Sequence, residues 1–428
     1  MELSVNYRLF LIITLFSLFI APLAAIPVNE TNTTEITPSS ASPPPYTIRL
    51  FVPTTKMIHS TQIFDQINGP ENQVLFATAF GLSTYYSNNS WSTRHINRDN
   101  VSQGLLDDYV TAVEYDKDGN LWIGYPAGIQ IYNGIYYRTI RDQQMLKDTR
   151  IQELQRWGDD IWIATGNAGI HRYRNGEWTW FQPMEKNGPG FYDIRSVALD
   201  PVNDDMVIGS DDNGIWVIRS PDDPVLFEQI AQKSSPYGSM SQVKRDPMGG
   251  VYLFDDTSVV HYSPEKGFVP TVTIRDLTME DISINDIAPS PQGLLYIATD
   301  NGIFIWKDGA VIRFIGRFEG IGTSTSVRTV NMDAENRLWF ATPEYVGYYR
   351  DLSIPESRIQ VERVTPAANI TTFTPNVTSV VTSAPVFQTS GSAAEPEDWG
   401  SGSFLDPLFQ AINAITSRFG FSIFPTAP

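Results

Sequence analysis

One segment recurs along the chain, and its period limits the fold more than any other feature. It reads NLWIGYPAGIQIY at 120–132, DIWIATGNAGIHRY at 160–173, DMVIGSDDNGIWVI at 205–218, LLYIATDNGIFIW at 294–306 and RLWFATPEYVGYY at 337–349. Weaker copies read VLFATAFGLSTYY at 74–86 and GVYLFDDTSVVHY at 250–262. The aligned positions Phe76, Trp122, Trp162, Val207, Tyr252, Tyr296 and Trp339 lie 40 to 46 residues apart. A period of ~40–50 residues marks propellers and related arrays.

Each unit holds four short strand-like runs. In the second unit they are YVTAVEYD (109–116), LWIGY (121–125), GIQIY (128–132) and YYRTI (136–140). Turn chemistry separates them as KDGN, PA and NG. Asn-Gly and Asp-Gly, repeated at Asn175-Gly176 and Asp308-Gly309, suit tight hairpins with positive φ. Apolar residues fall on both faces of LWIGY, as a sheet covered on both sides requires. The small residues Gly124, Ala164, Gly209, Ala298 and Ala341 sit where a neighbouring sheet must come close. The expectation is all-β: a seven-bladed β-propeller of four-stranded antiparallel blades over 46–352. YTIRLFVPTT (46–55) has no copy of its own and resembles the fourth strands, so it is expected to close the last blade. SRIQVERV (357–364) competes for that place.

The flanks differ in character. Arg8 precedes the apolar run Leu9–Ile20, with Ala24 and Ala25 after it, so 1–26 reads as a signal peptide or an N-terminal membrane anchor. The chain is therefore expected to be exported and extracellular or at the cell surface. Residues 27–45 and 353–403 are Thr/Ser/Pro-rich and are expected to be disordered linkers. Leu405, Leu408, Phe409, Ile412, Ile415 and Phe419 give 404–424 the spacing of an amphipathic helix, which could take a partner. Glycosylation sequons stand at Asn29, Asn32, Asn88, Asn100, Asn369 and Asn376.

Several chemistries are disfavoured. The net charge of −18 argues against nucleic acid, whose phosphates need clustered Lys and Arg. With no cysteine there is no disulfide, thiolate metal site or cysteine nucleophile. The four histidines, His59, His95, His171 and His261, are dispersed and assigned to different blades, which disfavours zinc. Asp116, Asp118 and Asn120 alternate as calcium ligands do, but Gly119 comes too early and no glutamate follows at the twelfth position. A sialidase Asp-box set on Gly119 and Trp122 would meet Tyr115, Lys117 and Leu121 at its polar positions.

The loops between second and third strands are the place to look for a site. They carry Asp211, Asp212, Asp255, Asp256, Asp300 and Glu344 on four consecutive blades. Such an acidic arc could take a divalent cation, an amine or a basic protein loop; no other cofactor is expected. Asp and Asn are also ordinary turn residues. Phe80 and Tyr125 are candidate aromatic platforms opposite the arc.

GLLDDYVTAVEYDKDGNLWIGYPAGIQIYNG (104–134) resembles the two-component regulator propeller repeat, whose pattern runs G-L, V-x-x-I, D-x-x-G-x-L-W-I-G-T and G-L. IQELQRWGDDIWIATGNAGIHRYRNGEW (151–178) is similar, and the fifth copy is looser. The resemblance implies the extracytoplasmic sensor propellers of membrane histidine kinases, or stand-alone exported relatives. No kinase domain, helical linker or later apolar span follows in the sequence, so signalling by this chain alone is not expected. The expected function is non-catalytic: recognition of a ligand or a protein partner on one face. The alternatives are a propeller lyase or hydrolase using His171 or His261, and an accessory sensor for a separate kinase.

Overall fold

The structure is a computed structural model and describes residues 45–185 and 188–354. They form 28 strands, numbered β1–β28 in chain order, in seven four-stranded antiparallel sheets. Blades one to six are the sheets spanning 63–94, 112–140, 151–181, 194–231, 242–273 and 284–315. Blade seven joins three strands within 329–351 to β1 (Tyr46–Phe51).

Second strands carry the buried mass. Every residue of Val74–Thr78, Leu121–Tyr125, Asp160–Thr165, Met206–Ser210 and Leu295–Thr299 is buried. Each of these strands therefore has a neighbouring sheet on both faces, which is why its residues do not alternate between apolar and polar. The small residue two places after the aligned position (Trp122, Val207) lets that neighbour approach. A Cβ on Gly124 would lie 2.6 Å from Ile151 Cγ2 of the next blade, and one on Gly209 would lie 1.9 Å from the Ser241 carbonyl oxygen.

The D-x-x-G-x-L-W element is a turn that anchors an indole. Asp116 Oδ1 accepts the N–H groups of Asp118 (3.0 Å) and Asn120 (2.8 Å), and Oδ2 accepts Trp122 Nε1–H (3.0 Å). Asp333 repeats the device on Glu335, Arg337 and Trp339. Asp116 thus serves a hairpin. Positive φ at both central turn residues, as tight hairpins need, occurs at Asn175-Gly176 (φ 50°, 92°) and Asp308-Gly309 (φ 50°, 84°). Asn133 departs from that expectation: only Gly134 has positive φ, and Asn133 Oδ1 accepts the N–H groups of Ile135 and Tyr136 in a longer turn.

The chain ends of the disc pair as expected. β1 runs antiparallel to β28 (Val346–Asp351), from Tyr46 opposite Asp351 to Phe51 opposite Val346. At this seam Phe51 meets Trp91, Tyr85 and Trp339 at ring distances of 5.1, 5.5 and 5.9 Å. Buried Arg337 lies over Tyr85, Trp339 and Tyr348 and pairs with Asp333. Up-and-down order places the second-to-third-strand loops and the interblade connections on one face, here called the upper face. No helix among the described residues is long and apolar enough to cross a membrane. The N-terminal run, both linkers, SRIQVERV and segment 404–424 lie outside the described residues.

Candidate functional site

The first strands of the blades surround the disc axis: β2 (Ile63–Asn68), β6 (Ala112–Tyr115), β10 (Ile151–Trp157), β14 (Ile194–Leu199), β18 (Gln242–Arg245), β22 (Ile284–Pro289) and β26 (Thr329–Met332). Each is an edge strand, so its outer N–H groups need partners. A bulge in β2, β10, β14 and β22 leaves Phe64, Gln152, Arg195 or Asn285 unpaired. A bulge re-aims the next side chain, and here that residue is Asp65, Glu153, Ser196 or Asp286.

Those side chains fasten each blade to its successor. Asp65 Oδ2 accepts Val113 N–H at 2.8 Å, and Glu153 Oε2 accepts Val197 N–H at 2.7 Å. Ser196 Oγ accepts Val243 N–H at 2.6 Å, and Asp286 Oδ2 accepts Val330 N–H at 3.0 Å. β6 carries Ala112 at the matching place, and Glu114 substitutes by accepting Arg156 N–H at 3.1 Å. Asn331 Nδ2–H completes the circuit onto the Gln66 carbonyl at 3.1 Å. Lys244 Nζ pairs with Asp286 at 3.2 Å.

Four carboxylates and one ammonium thus line the disc axis, with Asp286 buried and Asp65, Glu114, Glu153 and Lys244 half-buried. Burial raises the Asp65 carboxyl above its ordinary value. Burial pushes Glu114 up to about 7 against the pull of two backbone N–H groups, and nearby Asp65 adds to the rise. Burial and then Asp65 push Glu153 up to about 8. Burial opposes the Lys244 ammonium, but Asp286, Glu153 and Asp65 outweigh it and its pKa is raised.

A second cluster lies on the upper face at blade one. Phe80 is half exposed at its second-to-third-strand turn, and its ring lies 6.0 Å from His59 and 5.3 Å from His95. The two imidazoles stack at 4.5 Å, correcting the expectation that the four histidines stay apart. His59 arrives on the connection into the blade and His95 follows its last strand, so their separation in sequence hides the contact. His95 Nδ1 lies 3.2 Å from Asp108 Oδ1. Phe64 and Tyr109, both exposed, meet at 4.7 Å.

The acidic arc is distributed along the rim. Asp212 Oδ2 accepts Tyr192 N–H (2.9 Å), and Asp211 Oδ1 accepts Ser241 Oγ–H (2.5 Å). Burial, then Asp211 and Asp212, raises the neighbouring Asp193. Asp255 Oδ1 accepts the backbone and hydroxyl donors of Thr257 and Ser258. Asp300 accepts from Asn285 and Ser283, Glu344 accepts from Thr323, and Asp256 is exposed. No hydrogen bond or ion pair among the described residues joins arc carboxylates of different blades. No group of three or more His, Cys, Asp or Glu among those residues is arranged to hold a metal ion.

Other candidates resolve individually. Tyr125 is no platform: it is fully buried, with its hydroxyl on Gln130 at 2.7 Å, because its strand is covered on both faces. His171 is buried in a third strand, accepts Lys147 N–H at 3.1 Å, and is pushed down to about 4 by burial. His261 pairs with Asp246 at 3.2 Å beside a first-to-second-strand turn. Neither histidine is on an axial strand. Asn88 and Asn100 sit in exposed turns, each Oδ1 accepting the Ser hydroxyl two residues on at 2.6 Å.

Known proteins agree with this geometry. The model of the two component regulator propeller matches residues 104–126. No curated protein matches the chain in sequence. The extracellular domain of BT4673 from B. thetaiotaomicron, described as a hybrid two component system, superposes with a TM-score of 0.54 at 17% identity. That match covers 70% of this chain and 40% of the other, so this chain spans about two fifths of that domain's length. Virginiamycin B lyase from Staphylococcus aureus gives 0.53 at 11% identity over 71% of this chain and 99% of the lyase. PorZ, a surface component of the type-IX secretion system of Porphyromonas gingivalis, gives 0.53 at 12% identity, covering 68% and 46%. At such identities the likeness is one of fold. The chain is a seven-bladed propeller, and residues 104–126 of its second blade match the two component regulator propeller.

Proposed function

We propose that this chain is an exported propeller that recognises a ligand or a protein partner through its upper face, at or near the cell surface. The observation that carries the reading is the group of exposed rings Phe64, Phe80 and Tyr109 on that face, two of them in direct contact. Large exposed aromatics supply contact area at small entropic cost, and clustered ones mark binding surfaces. The axial carboxylates are already engaged in fastening blades, which leaves the upper face as the place for recognition. The apolar run Leu9–Ile20 and the exposed sequon turns at Asn88 and Asn100 support export, with a cleaved signal or an N-terminal anchor. The likeness to an extracellular domain of a two component system favours a second reading, an accessory sensor acting with a separate kinase.

Thermal unfolding of the full chain against calcium, spermidine and a set of soluble sugars tests the reading. A ligand at 100 times its Kd should stabilise by about 2.7 kcal/mol. The shift is expected to disappear in Phe80→Ser/Tyr109→Ser and to persist in Asp211→Asn/Asp212→Asn. Loss in the Asp pair alone would move the site to the acidic arc. An equal shift in all three proteins would place binding away from this face.

A further inference from the structure

We propose that the axial ring of first strands is a proton-operated clasp. It closes when Glu114 and Glu153 carry protons and loosens at the junctions of blades one to four when they ionise. The geometry is the reason. Three consecutive junctions each hang on one carboxyl group accepting an N–H from the next blade: Asp65 to Val113, Glu114 to Arg156, and Glu153 to Val197. Their like charges act on one another, since Asp65 bears on Glu114, and both bear on Glu153. The facing charged groups are Asp65 on β2, Glu114 on β6, Glu153 and Arg156 on β10, Lys244 on β18 and Asp286 on β22. β14 presents Ser196 and β26 presents Asn331, which do not titrate. Lys244 is paired with Asp286 and is shared with Glu153 and Asp65, and Arg156 bears on Glu114, so full ionisation sets four carboxylates against two cations.

The sign follows. A carboxyl raised above its ordinary 4.5 gives stability that is present at low pH and lost as pH climbs to its folded value, here about 7 for Glu114 and about 8 for Glu153. This behaviour is independent of what the upper face binds.

The test is thermal unfolding of the full-length chain from about pH 5 to about pH 9. The Tm of the unaltered chain is expected to fall across that range. Glu114→Gln/Glu153→Gln keeps an oxygen for each N–H and removes the charge, so it should flatten the fall and raise Tm at the alkaline end. Lys244→Met should steepen the fall. In hydrogen exchange, corrected for the intrinsic rate, Val113, Arg156 and Val197 amides should lose protection with pH while Ile163 keeps its own. Parallel falls in the unaltered chain and the double variant would overturn the clasp. Should the double variant fail to fold, carboxyl carbon shifts of the unaltered chain decide. Two side-chain carboxyls titrating above about pH 6 are expected, and none would overturn the proposal.

Discussion

At the residue scale, the repeat's tryptophans are not equivalent. Trp122 and Trp339 donate to Asp116 and Asp333. Trp162 belongs to the unit whose turn is shortened to Gly158 and Asp159, and Trp157 occupies the place of the anchoring aspartate. The Trp162 Nε1–H is buried without a partner, whereas Trp157 Nε1–H donates to Asp204 at 2.9 Å. A buried hydrogen bond to a charged acceptor contributes about 1.5–3 kcal/mol, and an unmet buried donor costs about 1–3 kcal/mol. Trp162→Phe should therefore destabilise by less than Trp122→Phe, by roughly 2 kcal/mol, although both lose similar ring area. Urea unfolding of the two variants measures the difference. Equal losses would mean that the Asp116 contact contributes nothing to stability.

At the element scale, closure rests on β1. Phe51 is 4% exposed and packs on Trp91, Tyr85 and Trp339, which belong to the first and last blades. Phe51→Ala should cost about 3–5 kcal/mol in equilibrium unfolding, as for other large core deletions. Gly209→Ala should also destabilise, by about 1–3 kcal/mol, because its Cβ would strike the Ser241 backbone and not a side chain that could rotate. Both features could be read in the sequence: β1 from its likeness to fourth strands, Gly209 from its place two residues after the aligned position, Val207. The axial ring could not be read so easily. Its slot holds Asp65, Ala112, Glu153, Ser196, Gln242, Asp286 and Thr329, and Glu114 reaches the axis from a different place in its strand. The signal was there only as a polar residue recurring at one place in first strands that are themselves of mixed polarity. The bulges that aim it are tertiary, and so is the meeting of His59 and His95 across blade one.

At the scale of the whole molecule, two charge systems act at different depths. Acidic residues outnumber basic ones by 48 to 30. Exposed pairs such as Lys117–Asp159 (3.0 Å) oppose that excess little, because water and salt screen them. Net repulsion should dominate the surface. Raising monovalent salt from about 0.01 M to about 0.15 M shortens the screening length from about 30 to about 8 Å. The Tm should then rise, by roughly 2 °C for each kcal/mol of repulsion removed. A fall in Tm would mean that surface pairs outweigh the excess charge. The axial carboxylates are buried or half-buried on the disc axis, where salt screens less than at the open surface. The fall in Tm with pH assigned to Glu114 and Glu153 should therefore survive at high salt, after the surface contribution has been screened away. Thermal unfolding on a grid of pH and salt separates the two systems in one experiment, and a pH slope that vanished with salt would return those two carboxylates to the surface.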